Sequence, residues 1–255
     1  MKLVDTHIHL YAEEYGELQN ELINNAIEAG VTKFILPNID STSVTGLNQL
    51  TQKYPNNCFG MMGLHPCYVI ENYQEELACV KQLLQSHKYF AVGEIGMDKY
   101  WSLDFIAQQE EALRTQLKWA SEMDLPVSLH TRNATREVID IITELNLPNR
   151  KGVFHCFGGT FEEAKEIINL GYHLGIGGVV TFKNSGLDVI IKDIPLEKLV
   201  LETDGPYLAP MPFRGKRNDP KYLRIIAEKI ASIKNISLEL VASTTTNNAN
   251  QLFGL

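Results

Sequence analysis

The stretch LVDTHIHL, residues 3–10, ends a short apolar run in two histidines one residue apart, with an aspartate two positions before the first. Side chains alternate across a strand, so Asp5, His7 and His9 face the same way and bring three polar groups to one place. Seven further short apolar runs follow: Lys33–Pro37, Phe59–Leu64, Phe90–Ile95, Pro126–His130, Gly152–Cys156, Tyr172–Ile176 and Lys198–Thr203. Between them lie stretches such as YGELQNELINNAIEAG, QEELACVKQLLQS, IAQQEEALRTQLKWASEMD, REVIDIITELN and FEEAKEIINLG, whose apolar residues recur at three and four. That spacing predicts helices, and glycine closes several of them.

Eight strands alternating with helices predict an α/β protein with a parallel sheet, and eight is the number that closes a (β/α)8 TIM barrel of about 250 residues. A doubly wound open sheet is the alternative. The barrel is favoured by where the polar residues fall, because almost every run ends in a chemically capable side chain or a tight turn: His7 and His9, Asn38, His65, Glu94, His130, His155, the pair Gly177 and Gly178, and Asp204. Loops at the C-terminal ends of barrel strands carry the chemistry. The 255 residues fit one domain spanning 1–255. The proline-rich GPYLAPMPFRGKRNDP after the eighth run is expected to be an ordered loop over the active face, and Ser237–Leu255 a last helix with TTTNNANQ as its outer face.

An apolar fraction of 44% and a charged fraction of 21% are those of an ordinary globular protein. Neither a signal peptide nor an 18-residue apolar run is present, so the expected compartment is the cytoplasm with no membrane partner, and no obligate protein partner is evident. Cys58, Cys67, Cys79 and Cys156 form no CxxC pair and read as buried thiols. A net charge of −8 argues against a broad basic surface that coats nucleic acid, though not against a local cationic site.

His7, His9, Glu94, His130, His155 and Asp204 come from five strand ends that a barrel would gather into one funnel. Four imidazoles and two carboxylates without thiolates suit a borderline or hard divalent ion. Six donors exceed what one tetrahedral ion with an open position needs, whereas two ions about 3.5–4 Å apart, sharing a carboxylate, use them all and favour hydrolysis of phosphate esters.

The motifs DTHIHL, GLHP, GEIGMD, HTR, HCFGG and ETDGPYLAPMPFRGKRNDP, in this order from Val4 to about Leu223, resemble the TatD family of metal-dependent deoxyribonucleases in the amidohydrolase superfamily. Departures are small: Met97 stands where the family usually has leucine, and DKYW follows. The resemblance implies that His7, His9 and Asp204 hold a first metal, that Glu94 bridges, and that His130 and His155 hold a second, the two divalent ions being Mg²⁺, Mn²⁺ or Zn²⁺. It implies cleavage of DNA as a 3′-5′ exonuclease on single-stranded ends, with Asp204 taking the proton of the attacking water. Beside these, His65 is a candidate to touch a phosphate or protonate the leaving oxygen, the alternative being a loop hydrogen bond. Arg132 and Arg214 are candidate phosphate contacts, the latter in a basic run with Lys216 and Arg217. Asp5 and Glu202 are expected to hold metal ligands in place from behind. Tyr100 and Trp101 either stack on a base or roof the core. A metal-dependent amidohydrolase or small-molecule phosphoesterase, and a catalytically silent metal-binding scaffold, are the competing readings.

Overall fold

The computed structural model describes residues 1–255. Eight parallel strands appear in chain order: β1 (Leu3–Asp5), β2 (Val31–Leu36), β3 (Cys58–Gly60), β4 (Val92–Asp98), β5 (Val127–Arg132), β6 (Gly152–Phe154), β7 (His173–Ile176) and β8 (Leu199–Leu201). Helices α1 (Gln19–Glu28), α2 (Val44–Lys53), α3 (Tyr73–Ser86), α4 (Ile106–Glu122), α5 (Thr135–Leu145), α6 (Phe161–Asn169), α7 (Leu187–Asp193) and α8 (Leu223–Lys234) follow the successive strands, and α9 (Leu238–Phe253) comes last. Neighbours pair as β1-β2-β3 and as β4-β5-β6-β7-β8. Both seams are bridged by backbone hydrogen bonds. Met62 N–H donates to Ala91 O and Gly93 N–H to Met62 O at 3.1 Å each, while Thr6 N–H donates to Leu201 O and Asp204 N–H to His7 O at 2.9 Å each. The sheet is therefore a closed (β/α)8 barrel, and the open-sheet alternative falls.

Strand alternation divides the apolar side chains between two regions. Leu3, Phe34 and Leu36 face outward into a cluster of 56 buried residues that draws on all eight strands and all nine helices. Val4, Ile35, Met61, Ala91, Val153 and Val200 face inward, where Ala249, Leu252 and Phe253 of α9 plug the cylinder. Helix ends obey local chemistry. Thr160 and Glu163 form a reciprocal capping box on α6, and α1 and α6 are followed by Gly30 and Gly171 at φ +99° and +95°, a region that disfavours residues bearing a Cβ.

Three expectations need correction. The strands β1, β3, β6 and β8 stop short of the polar residues expected to end them, so His7, His9, His65, His155 and Asp204 lie in the first turns beyond, where the chain leaves the ladder. TTTNNANQ is not simply an outer face: Thr245 and Asn248 are buried, and Asn248 Nδ2 donates to Leu196 O and Leu199 O at 3.0 and 2.8 Å. Of the four thiols only Cys58 is fully buried, and Cys67 is exposed. The proline-rich loop is ordered by Asn218, whose buried amide donates to Thr203 O and Tyr207 O at 2.7 Å each. No helix is long and apolar enough to cross a membrane.

Candidate metal centre

Glu94 lies at the centre of the barrel mouth, 2% exposed, with its two oxygens facing different sets of side chains. Oε2 lies 3.1 Å from His7 Nε2 and 3.7 Å from His9 Nε2, and both of these nitrogens face Asp204 Oδ1, at 3.9 and 3.7 Å. Oε1 lies 2.8 Å from His155 Nε2, 2.9 Å from His130 Nδ1 and 3.3 Å from His65 Nε2. The rings of His7 and His155 stack at 3.9 Å between the two halves. All six expected donors are thus brought together. The backbone here is held in unusual conformations, with Asp204 at φ +56° and Cys156 at +48°, as is common where surrounding structure fixes a site.

Hydrogen bonds on the far side of the His9 and His130 rings determine which of their nitrogens faces inward. Tyr11 gives its one hydroxyl proton to Pro37 O at 2.7 Å, so it can only accept from His9 Nδ1 at 3.1 Å. His9 therefore turns a bare Nε2 to Glu94 and Asp204. Asp98 accepts the Nε2 proton of His130 at 2.9 Å, so Nδ1 is the nitrogen turned toward Glu94. Inward-facing imidazole nitrogens thus meet carboxylate oxygens: that of His9 is bare, and that of His130 shares with Glu94 a proton that a divalent ion would replace; donors of this type and spacing fit such an ion. His65 differs: its Nδ1 accepts from Cys67 N–H at 3.0 Å, which places its proton on Nε2. That nitrogen faces Glu94 Oε1 at 3.3 Å, and the bond from Cys67 N–H is the loop contact considered for this residue.

Electrostatics follow from the same contacts. Burial pushes Glu94 upward, but the imidazoles of His65, His155 and His7 overcome this and hold it well below the usual carboxylate range. Asp204 is likewise lowered, burial being outweighed by His9, His155 and His7. Burial pulls His155 down and Glu94 more than reverses it, so this histidine is raised well above its ordinary value. For His130 burial is outweighed by hydrogen bonds to Asp98 and Glu94, again raising it. Asp98 is held low against burial by His130 and by the backbone N–H groups of Tyr100 and Trp101.

A model of the family described as TatD related DNase matches residues 4–254. The chain belongs to the TatD family. It is 38% identical over 252 residues to an uncharacterized metal-dependent hydrolase, YabD, of Bacillus subtilis, covering 98% of each chain. It is 31% identical to a protein of Pantoea ananatis named 3′-5′ ssDNA/RNA exonuclease TatD, covering 99% of this chain and all of that one. The crystal structure of YjjV, a TatD homolog of Escherichia coli K12, superposes with a TM-score of 0.94 at 29% identity, over 99% and 98% of the two chains. As a TatD protein the chain is a metal-dependent hydrolase, and three overlapping groups within the donor cluster have the spacing to hold a metal ion.

Around this TatD centre a cavity of about 1270 Å³ opens to solvent. Arg132 lines it and forms no ion pair; its guanidinium carbon instead lies 3.7 Å from the Tyr100 ring centre. The basic loop does not reach the cavity wall. Arg214 packs over Phe182 at 4.4 Å, and Arg217 donates to Glu14 O at 3.0 Å, so the charge run read as a phosphate lure is turned elsewhere. Asp5 touches no imidazole: it accepts from Thr203 N–H at 3.0 Å and His7 N–H at 3.3 Å, pinning the seam between β8 and β1. Glu202 accepts from Cys156 N–H and lies 3.6 Å from His155 Nδ1. Sequence reasoning missed Asp98, Tyr11 and Ser128, the last 3.0 Å from His7 Nδ1. For Asp98 a signal existed, since it stands four residues after Glu94 on β4 and so shares its face.

Proposed function

We propose that this TatD protein is a two-metal phosphodiesterase that degrades single-stranded DNA ends in the 3′-5′ direction, residues 1–255 forming one catalytic unit in the cytoplasm. His7, His9 and Asp204 would hold one divalent ion and His130 and His155 the other, with Glu94 between the two sets to serve both. The observation that carries this reading is the pair of imidazole nitrogens, His9 Nε2 and His130 Nδ1, turned toward opposite oxygens of one buried carboxylate. Two such ions supply a nucleophilic water and charge compensation for the departing oxygen. Asp204 remains ionised and receives the proton that the water sheds. His65, with its proton on Nε2, donates to the leaving oxygen. Arg132 meets a phosphate with an unpaired guanidinium. The name of the Pantoea relative supports a nucleic-acid substrate, and a deep barrel mouth admits a strand end more readily than a duplex.

Oligonucleotides labelled at one end and blocked at the 3′ or the 5′ terminus test it, with Mg²⁺, Mn²⁺ and Zn²⁺ compared. A ladder growing from the free 3′ end, abolished by EDTA and by Glu94→Gln, is expected. Full cleavage by the Glu94→Gln protein would overturn the reading, and turnover of amides with no attack on oligonucleotides would transfer the site to amidohydrolase chemistry.

A further inference from the structure

We propose that Tyr100, Trp101 and Arg132 form a stacking subsite at the cavity mouth that takes the nucleobase beside the scissile phosphodiester; this rests on the nuclease reading above. The strongly exposed aromatic side chains of the whole chain are four, Trp101 at 69%, Tyr100 at 54%, Tyr207 and Tyr68, and all four belong to the barrel mouth. Scattered exposed apolar residues are ordinary, but exposed aromatics gathered at one opening mark a surface awaiting a ligand. Tyr100 and Trp101 meet edge to face at 5.1 Å, and the Arg132 guanidinium lies over Tyr100, 5.3 Å from the Trp101 centroid. Their exposure rules out the roof over the core. A flat guanidinium and two aromatic rings without internal partners on their open faces are what a base stacks on, irrespective of its identity.

Charge points to the same ligand. Arg132 is the single lysine or arginine in the cavity wall, whose other charged members include Glu13 and Glu14. A strand entering there finds its one permanent cation beside the aromatic platform. The platform is also fixed to the chemistry: Asp98 Oδ1 accepts from Tyr100 N–H at 2.8 Å and Trp101 N–H at 3.1 Å, while Oδ2 of the same carboxylate holds His130. One side chain thereby sets the spacing between stacked base and reacting phosphate.

The metal-loaded protein is titrated calorimetrically with dAMP and with 2-deoxyribose 5-phosphate, which share a phosphate and differ by the base. At least tenfold tighter binding of dAMP is expected, with the difference closing in Trp101→Ala, a substitution at an exposed site that leaves the circular dichroism spectrum intact. Fluorescence gives a second measurement, because the other tryptophan, Trp119, is buried in α4: dAMP should quench the emission saturably, and not in Trp101→Phe. Equal affinity for the two ligands, or quenching that survives Trp101→Phe, overturns the subsite. Oligonucleotides carrying an abasic 3′ nucleotide separate the two ideas. Cleavage of intact and abasic ends at equal kcat/KM removes the subsite and keeps the nuclease, whereas stacking of dAMP without cleavage of any strand keeps the subsite and removes the nuclease.

Discussion

On the proposed two-ion reading, replacing Asp98 by asparagine should cost the ion at His130 and His155 but not the ion at His7, His9 and Asp204. Asp98 Oδ1 accepts two backbone N–H groups, at 2.8 and 3.1 Å, and Oδ2 accepts the His130 Nε2 proton at 2.9 Å. An asparagine keeps its carbonyl on the two backbone donors, so its amide N–H confronts His130 Nε2. Two donors cannot share a hydrogen bond, and the imidazole relieves the conflict by moving its proton to Nδ1, the atom 2.9 Å from Glu94 Oε1. Restoring a bare Nδ1 then forfeits a charge-assisted hydrogen bond of about 1.5–3 kcal/mol, equivalent to about 10–100-fold in affinity, the range found when partners behind metal ligands are removed. Titration against a competing chelator, with metal content measured after dialysis, should show the second ion weakened by that factor and the ion at His7, His9 and Asp204 changed by less than about threefold. Wild-type affinity at both positions would refute the tautomer argument, and equal loss at both would assign the effect to the fold.

His65→Ala should lower kcat by about 100-fold, the contribution of a placed proton donor, with both ions retained in metal analysis; loss of an ion would make His65 a ligand. Metal affinity should rise with pH. His130 and His155 hold their protons above the ordinary histidine range, and an ion must expel them, so calorimetric heats at pH 7 should depend on the ionisation enthalpy of the buffer. The same shifts stabilise the metal-free fold most fully below the unfolded histidine value of about 6.5, a contribution lost as pH rises through the raised values; buried neutral His7 and His65, both lowered, act in the opposite sense. An affinity independent of pH between about 6 and 8.5 would contradict the scheme. Asn248→Ala should lower stability by about 2 kcal/mol, because two buried carbonyls lose their donor, read as a shifted urea midpoint with kcat unchanged.

Much of this was legible in the residue order, for reasons that differ by element. Strand count and direction follow from apolar runs alternating with helical periods, and His7, His9, Glu94, His130, His155 and Asp204 announce themselves because ligand types rarely end such runs. Strand limits were not legible, since the ladders of β1, β3, β6 and β8 stop before the donors turn inward, whereas β4 and β5 run on through Glu94 and His130. Asp98 was hidden within GEIGMD by its resemblance to any turn aspartate, and Ser128 by being 121 residues from the histidine it supports. Composition revealed the positive charge of Arg214 and Arg217 but not its direction, which depends on Phe182 and Glu14 being nearby. Asn248 looked like surface because its two carbonyl partners precede it by 52 and 49 residues.

The seam between β1 and β8 and the plug formed by α9 join the earliest and latest parts of the chain. During synthesis His7 and His9 emerge from the ribosome long before Asp204, and the inner layer around Val4 waits longer still for Leu252 and Phe253. A truncated translation product therefore has neither a complete set of donors nor a sealed floor. Hydrolytic power that depends on this donor set is therefore withheld from any fragment that ends before Asp204.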